Sequence, residues 1–333
     1  MHELPTNYFF SQPEEKNLPY LIQQRRVELK ALKEEWRSII QSRLIDKYPA
    51  FYNQLESILK KGELIQVSEG LGGTYFLLNE KKEICFVIKP MDEDILCLNN
   101  YKDFATPFNN KEMRVRAEIP LYRSCQNSAA AASLARLINL PEVTPNTYIA
   151  IIKSHHFYDL SNIELQEKEK LCSVQEYLPH SQELYDQLQE WIKEGLSDSA
   201  IGELIDQQDF EEANLFIWLC FDNDAHVGNF RSFKKSTGLF GLKKIDNNLT
   251  FPEKNRDLLN CLSLFPNAEK SLSESSRELI NNIPFTQIAN ELIFYDLESS
   301  LPALKERLSL LQELIKKREI TIREINNEMM NLK

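Results

Sequence analysis

Asp224, His226 and Asn229 stand at i, i+2 and i+5 in the run Asp-Asn-Asp-Ala-His-Val-Gly-Asn-Phe (222–230). A further acid, Asp246, follows in Lys-Ile-Asp-Asn-Asn-Leu-Thr-Phe-Pro (244–252), after a gap just long enough for a β-hairpin. One carboxylate to orient a hydroxyl, an Asn five residues on and a second carboxylate at a strand end to hold Mg²⁺ against ATP phosphates make a phosphoryl-transfer site. Such a site also needs backbone amides close to the phosphates and a cation on a neighbouring strand. Gly70, Gly72, Gly73 and Thr74 lie between two predicted strands, where glycine lets N–H groups approach phosphate. The same run also reads as a plain hairpin turn. Lys89 closes the strand Ile84–Ile88, one strand and one turn beyond the glycines, within reach of α- and β-phosphates. A surface lysine at a strand end is the other reading.

The elements that must position these residues follow from hydrophobic spacing. Leu29, Leu32, Trp36, Ile39 and Ile40 recur at helical spacing within 20–44, and a second helix is expected over 51–59. Leu64–Val67, Tyr75–Leu78 and Ile84–Ile88 read as an antiparallel meander, punctuated by the glycines and by Asn79-Glu80-Lys81-Lys82. The alanine-rich run 128–137 reads as a helix, and 148–152 and 173–177 as strands. Beyond Leu178 the pattern turns helical, with helices over 182–194 and 209–220. Leu304, Leu308, Leu311 and Ile315, then Ile322, Ile325, Met329 and Leu332, suggest a long closing helix with heptad-like spacing, packed on its own chain. Strands first and helices after predict an α+β fold of two lobes around a cleft. The expected divisions are a helical extension (1–60), a β-rich small lobe (61–178) and a helical large lobe (179–333).

The chain has 333 residues, 42% of them apolar, and a net charge of −11. That length suits a two-lobed domain, and that charge disfavours nucleic acid and anionic membranes except through a local basic patch. Six dispersed cysteines without a CxxC pair lead to the expectation of a reduced, cytoplasmic protein without zinc. No apolar run reaches the ~18 residues of a membrane span, and a monomer is expected.

Gly72-Gly73-Thr74-Tyr75-Phe76, then Val87-Ile88-Lys89-Pro90-Met91-Asp92-Glu93-Asp94 and Asn99-Asn100, resemble the glycine loop and lysine-proline-acidic motif of the type II phosphatidylinositol 4-kinases. The resemblance is strongest to the subgroup that carries ubiquitin-like domains. Ser173-Val174-Gln175-Glu176-Tyr177 resembles that family's hinge strand, 224–229 its catalytic loop and 245–252 its metal-binding motif; together they cover roughly 64–255. The resemblance implies a bilobal, protein-kinase-like fold related to the phosphoinositide 3-/4-kinases, with ATP and Mg²⁺ or Mn²⁺ as cofactors. It implies that Lys89 contacts ATP phosphates, that Asp224 is the catalytic carboxylate and that Asn229 and Asp246 bind the metal. Gln175 and backbone groups near Glu176 and Leu178 would meet adenine. His226 would shape the loop or contact the transferring phosphate; a neutral packed histidine is the alternative. Two features depart from the family pattern. Ala225 replaces an Arg that usually follows the catalytic Asp, and the helix that should offer a Glu to Lys89 has none, leaving Glu118, just upstream, or Gln126 as its expected partner.

Lys111, Arg114, Arg116 and Arg123 cluster, as do Arg231, Lys234, Lys235, Lys243 and Lys244. They read either as solvated surface or as a site for an anion: a phosphoinositide headgroup, an activating inositol polyphosphate or a phosphorylated partner. The acceptor is expected to be protein Ser/Thr, with phosphatidylinositol as the alternative and a pseudokinase scaffold as the non-enzymatic one. High Lys, Asn and Ile content is compatible with a bacterial effector working in host-cell cytosol.

Overall fold

In a computed structural model of the chain, which describes residues 18–102, 114–116, 118–158 and 168–332, strands and helices segregate into a sheet lobe and a helical lobe. The α+β expectation matches this arrangement. The strands are β1 (Glu63–Val67), β2 (Thr74–Leu78), β3 (Ile84–Pro90), β4 (Arg114–Arg116), β5 (Ile119–Pro120), β6 (Thr147–Ser154), β7 (Lys168–Glu176), β8 (Gln182–Glu183), β9 (Phe230–Lys234) and β10 (Phe240–Lys244). The helices are α1 (Leu18–Ile39), α2 (Ile45–Lys47), α3 (Pro49–Lys61), α4 (Ser124–Leu137), α5 (Leu184–Lys193), α6 (Asp198–Leu204), α7 (Gln207–Cys220), α8 (Glu274–Asn281), α9 (Phe285–Phe294), α10 (Leu301–Leu314) and α11 (Ile322–Met330).

The small lobe is a five-stranded antiparallel sheet in the order β1-β2-β3-β7-β6. Alternation along the strands turns Tyr75, Leu77, Phe86, Ile88, Ala150, Ile152, Cys172 and Val174 to one buried face. Phe51 and Leu55 of α3 cover that face, with Phe51 stacked on Tyr148 at 3.9 Å between ring centroids. The helix α1 does something different. Its Trp36 joins the larger core beside Tyr295, and Arg37 binds Glu169 on β7 at 2.6 Å. The N-terminal helices therefore pack on both cores.

In the large lobe, buried α7 carries the core, and α4 lies against β6, β7 and α9. Here one expectation is corrected. The apolar heptads after residue 301 form two helices, α10 and α11, rather than one long helix. Thr321 and Glu324 form a reciprocal capping box at the start of α11, which fixes a new helix origin there.

After β3 the chain makes a 3₁₀ turn (Met91–Glu93) that buries Glu93 completely. Its carboxylate accepts hydrogen bonds from Tyr75 Oη (2.7 Å) and the Tyr158 N–H (3.1 Å) and pairs with Lys170 Nζ at 2.8 Å. Burial outweighs the Lys170 ammonium and pushes this carboxyl from an ordinary 4.5 up to about 7. Between those values the folded chain binds more protons than the unfolded chain, so this group makes stability fall as pH rises through the window. Glu93→Gln should flatten the pH dependence of the melting temperature between about pH 5 and 7. A slope identical to that of the wild type would reject the assignment.

Candidate active site

α7 ends at Phe221, in the left-handed region (φ 51°), and releases the chain into a tight turn. Asp222, the next residue, is fully buried and pairs with equally buried Lys244 at 2.7 Å. Burial raises the Asp222 carboxyl against the pull of Lys244. Its Oδ1 also accepts the Asp224 N–H at 2.7 Å. Asp222 thus supports the loop from beneath, and Asp224 is the acid at its rim.

Asn229 donates its side-chain amide to the Asp224 carbonyl (2.7 Å) and carboxylate (3.1 Å), closing the loop into a ring. His226 is half-exposed rather than packed; its Nδ1 accepts the Gly228 N–H at 3.1 Å and its Nε2 lies 3.8 Å from Asp224 Oδ2. Ala225 is fully buried and bridges to Asn260, with Cys261 donating to its carbonyl. A core position between two backbone segments suits a methyl group better than the guanidinium expected from the family pattern.

Asp246 sits just beyond β10 in the left-handed region (φ 57°). Its Oδ2 meets Lys89 Nζ, at the end of β3 in the other lobe, at 2.7 Å. Burial acts to raise the Asp246 carboxyl, but the Lys89 ammonium overcomes it and holds the group below its ordinary value. The partner of Lys89 is therefore Asp246, which corrects the expectation of Glu118 or Gln126. Glu118 turns the other way, toward Lys254 (3.4 Å) and Arg256 (3.7 Å), and Gln126 is buried in α4. α4 reaches the site through Asn127, which donates to the Asn248 carbonyl at 2.8 Å.

Asp246 Oδ1 is buried without a hydrogen-bond partner, which is the state expected of a metal-facing oxygen. Asn229 spends its amide nitrogen on Asp224, so its oxygen stays outside that clasp. Two oxygen donors suit Mg²⁺ or Mn²⁺, which complete their shells with water and phosphate. Among the described residues no group of three His, Cys, Asp or Glu could hold a metal by itself.

The glycine loop lies between β1 and β2. Gly70 adopts φ +79°, which glycine reaches without strain, and a Cβ on Gly73 would clash with the buried Glu93 side chain, so both positions favour glycine. The Gly73 N–H is committed to the Glu93 carbonyl at 2.8 Å, which removes one of the expected phosphate donors. At the hinge, Gln175 lies in register with Val87 and Thr147. The Glu176 and Tyr177 amides donate to the Asn146 and Cys85 carbonyls, respectively.

Among the described residues, the hairpin lysines of the expected anion site do not come together. Lys244 is buried on Asp222, Lys235 binds Asp206 and Asp209 at 2.9 and 2.8 Å, and Lys243 binds Glu142 at 2.5 Å. Lys234 is exposed, and Arg123 bonds Ser299 Oγ and lies 3.8 Å from both Glu253 and Asp296. Lys111 and the side chains of Arg114 and Arg116 lie outside the described residues. Sequence reasoning treated the hairpin lysines as one patch because spacing along a chain does not reveal the carboxylates opposite.

The buried pair yields a stability prediction. Lys244→Met strands a carboxylate in the core and should cost about 3–5 kcal/mol in urea unfolding. The double variant Asp222→Asn/Lys244→Met should recover part of that loss, and a double variant no more stable than Lys244→Met would show that the pair itself is not the source.

No protein-family model matches the chain. Phosphatidylinositol 4-kinase gamma 5 of Arabidopsis thaliana is 26% identical over 240 residues, covering 68% of this chain and 35% of that protein. The chain thus spans about a third of the length of that curated relative. Among solved structures, the Helicobacter pylori proinflammatory kinase CtkA superposes with a TM-score of 0.44 at 10% identity, covering 76% of this chain and 95% of that one. The Golgi casein kinase with Mn/ADP bound superposes with a TM-score of 0.47 at 13% identity, covering 99% of this chain and 94% of that one.

Proposed function

We propose that this chain is an ATP-dependent phosphotransferase that uses a divalent metal and acts on a protein Ser/Thr hydroxyl. The observation that carries the reading is the 2.7 Å meeting of Lys89 and Asp246 across the two lobes, next to the ring closed by Asp224 and Asn229. In this reading Lys89 neutralises phosphate oxygens, and Asp224 orients the acceptor hydroxyl and takes its proton. Asn229 and Asp246 would hold Mg²⁺ or Mn²⁺, and the bound ion would supply charge stabilisation for the transferring phosphoryl group. With the Glu176 and Tyr177 amides committed, the backbone around Leu178 is the hinge donor left for adenine.

The roles separate kinetically. Asp224→Ala should lower kcat by at least about a hundredfold with the KM for ATP nearly unchanged, because its partner is the acceptor. Asp246→Ala should abolish transfer while the chain stays folded. Activity above a tenth of wild type in Asp246→Ala, or a loss confined to KM in Asp224→Ala, would refute these assignments.

A protein acceptor fits a surface of net charge −11, which repels anionic membranes. It also fits the cysteines: four are buried and two half-buried, none in an exposed cluster suited to acylation. Phosphatidylinositol is the second reading, favoured by the similarity to the plant phosphatidylinositol 4-kinase. Incubation with labelled ATP and Mg²⁺ or Mn²⁺, with and without phosphatidylinositol vesicles, tests both. Label on serine or threonine without lipid is the expected result. Label in lipid alone would make the second reading correct, and no label in either would favour a non-catalytic scaffold.

A further inference from the structure

Asn100 closes the motif that begins at the Lys89 strand but has no role in the site described above, and its side chain is buried against the glycine loop. Its Nδ2 donates to the Leu71 carbonyl at 2.9 Å and to the Glu93 and Asp94 carbonyls at 3.1 Å each. Its Oδ1 accepts the Lys102 N–H at 2.9 Å, which holds the amide in that orientation. The two following residues act on the same loop. Tyr101 Oη donates to the Val67 carbonyl at 3.1 Å, and Lys102 Nζ donates to the Glu69 and Gly70 carbonyls at 2.6 and 3.2 Å. The carbonyls of Val67, Glu69, Gly70 and Leu71 are thus all drawn to one side by three consecutive residues.

In a planar trans peptide the C=O of one residue and the N–H of the next point in opposite directions, and no peptide bond among the described residues is cis. Fixing those carbonyls therefore turns the N–H groups of Ser68, Gly70, Leu71 and Gly72 away from the brace. A run of backbone N–H groups facing one way is an anion cradle. We propose that Asn100, seconded by Tyr101 and Lys102, is a positioning residue that orients the Gly70, Leu71 and Gly72 amides toward the nucleotide phosphates. It touches no phosphate itself; its effect passes through the loop backbone. The proposal rests on the reading of the chain as an ATP-dependent phosphotransferase.

A brace of this kind acts on the phosphates and not on the base, which makes it separable from a general effect on folding. The full chain is titrated with ATP and with adenosine, each in competition with a fluorescent ATP analogue. Asn100→Ala should weaken ATP about tenfold and leave adenosine within about twofold, a difference that a loosened fold would not produce. Tyr101→Phe, which removes one clamp without changing charge, should shift ATP in the same direction by less, and it keeps the test open if Asn100→Ala does not fold. Unchanged ATP affinity in both variants, or a parallel loss of ATP and adenosine, would overturn the role of the brace. Failure of the wild-type chain to bind ATP would overturn the phosphotransferase reading beneath it.

Discussion

The site depends on one buried ion pair. Asp222 and Lys244 lie fully inside the protein, where two isolated charges would each cost several kcal/mol of lost hydration. Their cost is offset by mutual attraction and by the remaining bonds each makes. Those bonds are what matter for function. Asp222 accepts the Asp224 N–H at 2.7 Å, and Lys244 donates to the Ile245 and Asp246 carbonyls at 2.7 and 3.4 Å. One end of the pair therefore anchors the backbone of the acid on the 222–229 loop, and the other anchors the backbone of the acid beyond β10. The separation of Asp224 and Asp246 is set from below by a pair buried away from solvent.

Around that hub the loops are sewn together by their own backbones. Ile245 donates to the Asn229 carbonyl, Asn223 to Leu249, Phe251 to Cys220 and Lys244 to Val143. Arg307, fully buried on α10, reinforces the same region by donating to the Leu219 carbonyl while its guanidinium lies over the Phe221 ring. The small lobe is joined to this frame through Lys89 on Asp246, and α4 through Asn127 on Asn248. This explains why α4 needs no glutamate to hold the site together. Its Asn127 contributes to the loop that carries Asp246, and its Cys125 Sγ meets the backbone carbonyl of Lys89 at 3.8 Å rather than its ammonium.

Much of this was legible in the sequence: the meander as short apolar strands between turn residues, α4 as an alanine-rich helix former and α7 as an apolar run too long for a strand. The acidic and amide residues at 224, 229 and 246 were legible because their spacing is short and their elements adjacent. What escaped was pairing between distant segments. Nothing along the chain says that Lys89 meets Asp246, that Lys244 turns inward while Lys234 stays exposed, or that Glu118 faces Lys254. The closing helix was misread for a local reason: the heptads of 304–315 and 322–332 share a period, and the turn between them is marked only by the Thr321–Glu324 cap.

The sequence's high asparagine content acquires a structural meaning in this arrangement. Loops that surround a cleft turn many carbonyls inward, and each buried carbonyl needs a donor. A lysine or arginine would bring charge into a low-dielectric region beside the carboxylates at 224 and 246, and would compete with Lys89 for them. The asparagine amide donates without charge, from a short side chain that loses little entropy on burial. Asn100 ties the glycine loop, Asn127 the Asp246 segment, Asn223 the Arg256 carbonyl, Asn229 the Asp224 carbonyl and Asn255 the Ala303 carbonyl. Neutral amides thus hold much of the geometry, beside the charged donors Lys102, Lys244 and Arg307, which also bind backbone carbonyls. Exchanging these asparagines for aspartates would keep their size and still fail, because a carboxylate facing a carbonyl has no proton to give.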